Sequence, residues 1–164
     1  MKNKKANLLP EEVLKIVIAV ICIIFLVYLL VSLYYSLTGA EKKKQAEASK
    51  DIISKEITRI NNIGEKYNAQ GILVPNPAGW YIFSFVGEDL KPNLCTKQNC
   101  VCICESVILN PFNWRDKAQL KKCDDKGFCS VVSNLKKFEK IKIEGGGTAI
   151  LIRKVNNEIE ITRK

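Results

Sequence analysis

The chain contains no histidine. That absence removes the side chain whose charge changes nearest neutral pH, and with it the commonest metal-binding ring. A serine or cysteine nucleophile activated by histidine is excluded, as is a zinc site with imidazole ligands. No block of five or more like charges follows the first third of the chain, where 16 basic and 11 acidic side chains are interspersed from Glu65 to Lys164. A nucleic-acid interface needs a clustered basic patch interleaved with aromatics, so no nucleic-acid partner is expected. The C-x2-C knuckles of structural zinc and iron–sulfur sites do not occur either. Gly145-Gly146-Gly147 has no Lys-Ser/Thr behind it and lies between two candidate strands. It reads as a mobile hairpin loop, not a phosphate cradle. Catalysis is thereby the least supported class, and no catalytic residue, metal or cofactor is expected.

Charge is missing again from Ile16 to Leu37, an uninterrupted apolar run. As a helix it extends roughly 33 Å, enough to cross the ~30 Å hydrocarbon core of a bilayer. Thr38-Gly39-Ala40 has the small residues of a signal-peptide cleavage site. The run is nevertheless longer than the about 7–15 apolar residues of a secretory signal, so an uncleaved anchor is expected. Cys22 is a small apolar filler within it. Lys2, Lys4, Lys5 and Lys15 precede the run, while Lys42, Lys43, Lys44, Lys50, Lys55 and Arg59 come after it. Positive charge alone therefore leaves the orientation ambiguous and leans slightly towards a cytoplasmic body. Six cysteines beyond the run decide it, because disulfides persist only outside the reducing cytoplasm. The expected organisation is a cytoplasmic tail over 1–15, a transmembrane helix over 16–38, a helical stalk over 39–64 and an extracytoplasmic β-rich domain over 65–164.

Between Ala40 and Asn61 the chain is polar, lacks proline and carries Ile53, Ile57 and Ile60 at helical spacing. One long helix from about Glu11 to Ile63 is expected, its upper half packing an isoleucine stripe on the domain. Gly64 and the Gly-, Pro- and Asn-rich stretch Asn68–Gly79 end it as a loop. Twofold alternation then begins. Trp80–Val86, Cys100–Cys104, Val107–Leu109, Phe128–Val132, Ile141–Ile143 and Ala149–Val155 read as strands, and Trp114–Leu120 as one short helical turn. Asn156-Asn157 makes a two-residue hairpin turn into Ile159–Ile161, since asparagine tolerates positive φ. Fold class is α+β: a long amino-terminal transmembrane helix with its stalk, then a small disulfide-bearing antiparallel β domain. Glu88-Asp89 and Asp124-Asp125 lack the spacing of a calcium loop and read as solvated turns. Trp80 and Trp114 are candidates for the core or a sheet face.

The cysteines beyond the run have the pattern C-x4-C-x-C-x-C-x18-C-x5-C. Alternation puts Cys100, Cys102 and Cys104 on one face of a strand, about 6.6 Å apart with parallel Cβ vectors, which disfavours bridges among them. Pairing the triplet with Cys95, Cys123 and Cys129 leaves six of the fifteen connectivities open. A thiolate metal site is the competing use of the same residues.

Lys5-Ala6-Asn7-Leu8-Leu9-Pro10-Glu11, leading into a long apolar helix and a disulfide-bearing β domain, resembles the archaeal type IV pilin-like proteins. In that family a basic and a small residue precede the processing cut, and a glutamate stands fifth after it. Cutting after Ala6 puts Glu11 at that position. Pro10, Glu12 and Lys15 depart from the family's pattern. The chain is similar more generally to single-pass archaeal membrane proteins. The function expected is that of a non-catalytic, membrane-anchored protein of binding or envelope structure, with lipid as one partner and an envelope protein as another. The resemblance implies the alternative, a pilin-like homo-oligomer assembled through the helix.

Overall fold

The computed structural model of the chain describes residues 8–63, 69–107 and 115–164. Helix α1 runs from Leu8 to Ile63. By contacts the chain divides into two compact units, Met1–Ala40 and Glu41–Lys164. In the first unit every described apolar side chain from Val13 to Leu37 is exposed. The helix is long and apolar enough to cross a membrane, with a mean hydropathy of 3.3 over its most apolar window. Thr38 satisfies its hydroxyl locally by donating to the Tyr34 carbonyl at 2.9 Å.

In the second unit α1 supplies one wall of a core. Ala46, Ile53, Ile57 and Ile60 lie on one face, as their spacing requires, and all four are buried. Ser49, buried beside them, donates to the Asn76 carbonyl and ties the helix to the loop beyond. Among the described residues seven strands come next: β1 (Gln70–Val74), β2 (Trp80–Phe85), β3 (Cys100–Glu105), β4 (Phe128–Val131), β5 (Ile141–Lys142), β6 (Thr148–Val155) and β7 (Glu158–Arg163). A second helix, α2 (Arg115–Lys126), stands between β3 and β4.

The strands form two antiparallel sheets, one ordered β1-β6-β7 and the other β4-β3-β2-β5. A parallel bridge, Leu135 to Ile159, links the second sheet's connector to the edge of the first. Inner residues of both sheets join the helix in one cluster: Val74, Trp80, Ile82, Val101, Ile103, Ile150, Ile152, Ile159 and Ile161. Alternation makes this possible, since each strand sends every second side chain inward. At the β6–β7 turn Asn156 and Asn157 hold φ of 49° and 66°, the positive values of a type I′ hairpin.

Three expectations change. Asn68–Gly79 is not all loop: Gln70–Val74 forms β1, paired with β6 from Gln70↔Ile152 to Val74↔Thr148. Its glycine and short apolar run are poor local signals, and the pairing is made far along the chain. The helical turn near Trp114–Leu120 extends to Lys126 as α2. Val107 lies outside any strand, while 108–109 and Trp114 lie outside the described residues.

Ile53 is 1% exposed, so Ile53→Ala removes buried methyl groups and leaves a cavity between α1 and the sheets. The expected loss is about 2–5 kcal/mol, read as a lower urea midpoint at unchanged slope.

The outer face of β6–β7 carries an ion triad. Glu160 accepts from Lys136, and from Arg153 at 2.6 Å. Those two bonds, with Lys136 foremost, hold the Glu160 carboxyl below its ordinary range. A carboxyl depressed in the folded state contributes stability above the ordinary carboxylate range and loses it as pH falls through the lowered value. Glu160→Gln should therefore cost a little stability at neutral pH and flatten the acid-side decline, as urea midpoints across pH will read. The partners are about half exposed, which keeps the effect small.

Candidate functional site

Two features stand apart from ordinary packing: the bare apolar surface of α1 and a layer of sulfur under the second sheet. The layer arises from alternation on β3. Val101 and Ile103 face the main core, while Cys100, Cys102 and Cys104 face the other side and are fully buried. Opposite them on β2 stand Phe85, Phe83 and Tyr81, in the register Phe85↔Cys100, Phe83↔Cys102 and Tyr81↔Cys104. The three rings form a row with centroids 6.1 Å apart at each step, and Phe83 and Phe85 pack on the sulfurs.

Each bridge leaves the triplet for a different neighbour. Cys95, at the end of the 3-10 turn Asn93–Cys95, bridges Cys100. Cys102 bridges Cys129 directly across the β3–β4 ladder. Cys104 reaches Cys123 on α2. The third bridge sits under Gln119, whose amide donates to the Glu105 carbonyl at 2.8 Å and accepts from the Val107 amide at 3.0 Å. Gly127 closes α2 against it: a Cβ there would lie 2.6 Å from the Cys123 carbonyl oxygen and 2.8 Å from Cys104 Cβ. Only glycine fits that approach.

The bridges also crowd one another. Cys102 Sγ is 3.6 Å from Cys95 Sγ and 3.9 Å from Cys100 Sγ without being bonded to either. The sulfurs of Cys95, Cys102 and Cys129 lie within 4.8 Å of one another.

One residue of each acidic pair fastens a turn. Asp124 accepts from Asn93 Nδ2 at 2.9 Å and from the Leu94 amide at 3.2 Å, steadying the turn that presents Cys95. Asp89 pairs with Lys137 at 2.8 Å, and that bond is the main cause holding its carboxyl below the usual range. Trp80 is a core residue. Lys5 and Ala6 lie outside the described residues, and Glu11 falls within α1. Cys22 is a free thiol on the exposed helix surface.

Sequence reasoning overlooked a polar cleft of about 440 Å³ lined by Ser54, Thr58, Asn61, Ser130, Asn134 and Asn157, among others. Ser54 and Ser130 hydroxyls meet at 3.1 Å, and Asn134 donates to the Asn157 carbonyl at 2.7 Å. Ser54, Thr58 and Asn61 repeat at i, i+4 and i+7 beside the isoleucine stripe, and that spacing was the available signal.

No protein-family model, curated protein or solved structure matches the chain.

Proposed function

We propose that the chain is a single-pass membrane protein, its amino terminus cytoplasmic and its Glu41–Lys164 domain outside the cytoplasm. The domain acts in binding or in envelope structure, not in catalysis. The observation that carries this reading is the helix surface from Ile16 to Leu37, uncharged on every side and covered by nothing among the described residues. Such a surface is stable only against lipid or other apolar helices. Tyr34 and Tyr35 near its carboxyl end suit a membrane–water interface. Three bridges in the domain suit an oxidising compartment. Asp89 and Asp124, one from each acidic pair, are engaged in fastening turns, which supports a non-catalytic role. Protease added to intact cells should remove the domain. Full protection until the cells are lysed would overturn the orientation.

A second reading, a pilin-like subunit, is favoured by the continuity of α1 from the apolar run into the core of the second unit. A helix that packs with its copies in a bundle then carries a domain built onto itself. Processing after Ala6 leaves Asn7 as the first residue, and Glu11 neutralises a neighbouring α-amine in low dielectric. Amino-terminal sequencing of the native protein separates the readings, because a terminus at Met1 or Lys2 removes the pilin-like one.

A further inference from the structure

We propose that the reduced form of this domain binds a thiophilic divalent cation of the zinc class on the four thiolates of Cys95, Cys100, Cys102 and Cys129. A divalent ion held tetrahedrally by sulfur at about 2.3 Å sets its ligands about 3.8 Å apart. The non-bonded approaches of Cys102 to Cys95 and Cys100, at 3.6 and 3.9 Å, already have that length. Backbone hydrogen bonds hold the frame that makes them, in addition to the bridges. Cys100, Cys102 and Cys129 sit on strands joined by ladder hydrogen bonds, in the register Cys102↔Cys129. Cys95 is held by its own backbone, donating to the Pro92 carbonyl at 3.0 Å and accepting from the Gln98 amide at 2.8 Å. Cys95, Cys100 and Cys102 are fully buried with Phe83 and Phe85 packed over them, so water competes poorly for the ion.

Exchange between the two bridges is the other chemistry such crowding suggests, and the geometry opposes it. A thiolate attacks a disulfide along the extension of the sulfur–sulfur bond. Cys102 Sγ instead lies nearly equidistant from both sulfurs of the neighbouring bridge, alongside the bond.

The conversion balances. A dithiol gives each bridge two electrons and two protons and closes to its own disulfide. The ion then displaces the four thiol protons to solvent. A disulfide oxidant reverses this, taking two electrons per bridge from the thiolates and two protons per bridge from solvent, becoming a dithiol and expelling the ion. Metal binding and bridging are thus alternative states of the same four side chains. Cys104 and Cys123 stay outside, beneath Gln119, whose amide nitrogen lies 3.6 and 3.5 Å from their sulfurs.

The test uses the full chain in detergent, reduced with a phosphine and titrated with cobalt(II) without oxygen. One equivalent should bring up the intense visible bands of tetrahedral four-sulfur coordination, which zinc then bleaches, whereas the unreduced chain should show none. An absence of these bands from the reduced chain overturns the proposal. Alkylation of the zinc-loaded wild-type chain, mapped by mass spectrometry, needs no variant. Compared with the reduced chain free of metal, Cys95, Cys100, Cys102 and Cys129 should be labelled more slowly once zinc is bound, while Cys104 and Cys123, buried with or without the ion, should be labelled at an unchanged rate. A slowing by zinc that is spread evenly over all six marks capture by an unfolded chain and overturns the proposal as well.

Discussion

Lysine at both Leu26 and Leu30 moves the chain out of the membrane fraction. These positions lie at the middle of the apolar run, one turn apart on the same helix face, and both are exposed. Each lysine at the centre of a spanning helix costs about 2.5–3.5 kcal/mol on insertion scales, so the pair costs about 6 kcal/mol. Neither side chain can snorkel to a head group from that depth without dragging the helix. The second unit keeps its core, since neither leucine belongs to it. Alkaline extraction of membranes, followed by blotting, reads the result: wild type in the pellet, the double variant in the supernatant. A double variant still in the pellet means that the helix is seated against protein, and the lipid-anchor reading falls.

Loss of the Cys102–Cys129 bridge is the most damaging single change to the domain's covalent frame. It ties residues 27 apart, against 19 for Cys104–Cys123 and 5 for Cys95–Cys100. Chain-entropy estimates rise with loop length, giving about 3.5 kcal/mol for the longest loop and about 2 kcal/mol for the shortest. C102A/C129A should therefore lower the urea midpoint by about 1–3 M, given the usual slope for a domain of this size, and clearly more than C95A/C100A. Trp80, buried in the core, supplies the fluorescence signal. The opposite order would mean that local packing around the sulfurs, not loop closure, sets the contribution of each bridge.

Features written in neighbouring residues were legible in the sequence. The helix is dictated by its apolar length and the isoleucines at 53, 57 and 60, and the last hairpin by Asn156-Asn157. Alternation along Cys100–Cys104 foretold that the three cysteines share a face. Features that depend on distant partners were not legible. Strand β1 has little β character in Gln70 and Gly71 and exists because β6 offers it a ladder. For the same reason the division of the strands between two sheets was not legible: strand order depends on which edges meet, and no local signal reports that. The choice among six cysteine connectivities likewise rests on β4 lying beside β3 and α2 crossing the same face. Of the polar cleft, only the helix side left a trace in the residue pattern.

Because α1 is both the apolar segment and a wall of the folded domain, the place where the chain is cut decides what is shed. A proteolytic cut between Gly39 and Lys44 releases a fragment that still carries Ala46, Ile53, Ile57 and Ile60, and hence a complete core. A cut after Ile63 leaves that wall behind and sheds sheets whose inner faces are stripped bare. Survival of a released fragment therefore turns on about two dozen helical residues just past the apolar run, roughly 35 Å of helix at ~1.5 Å per residue.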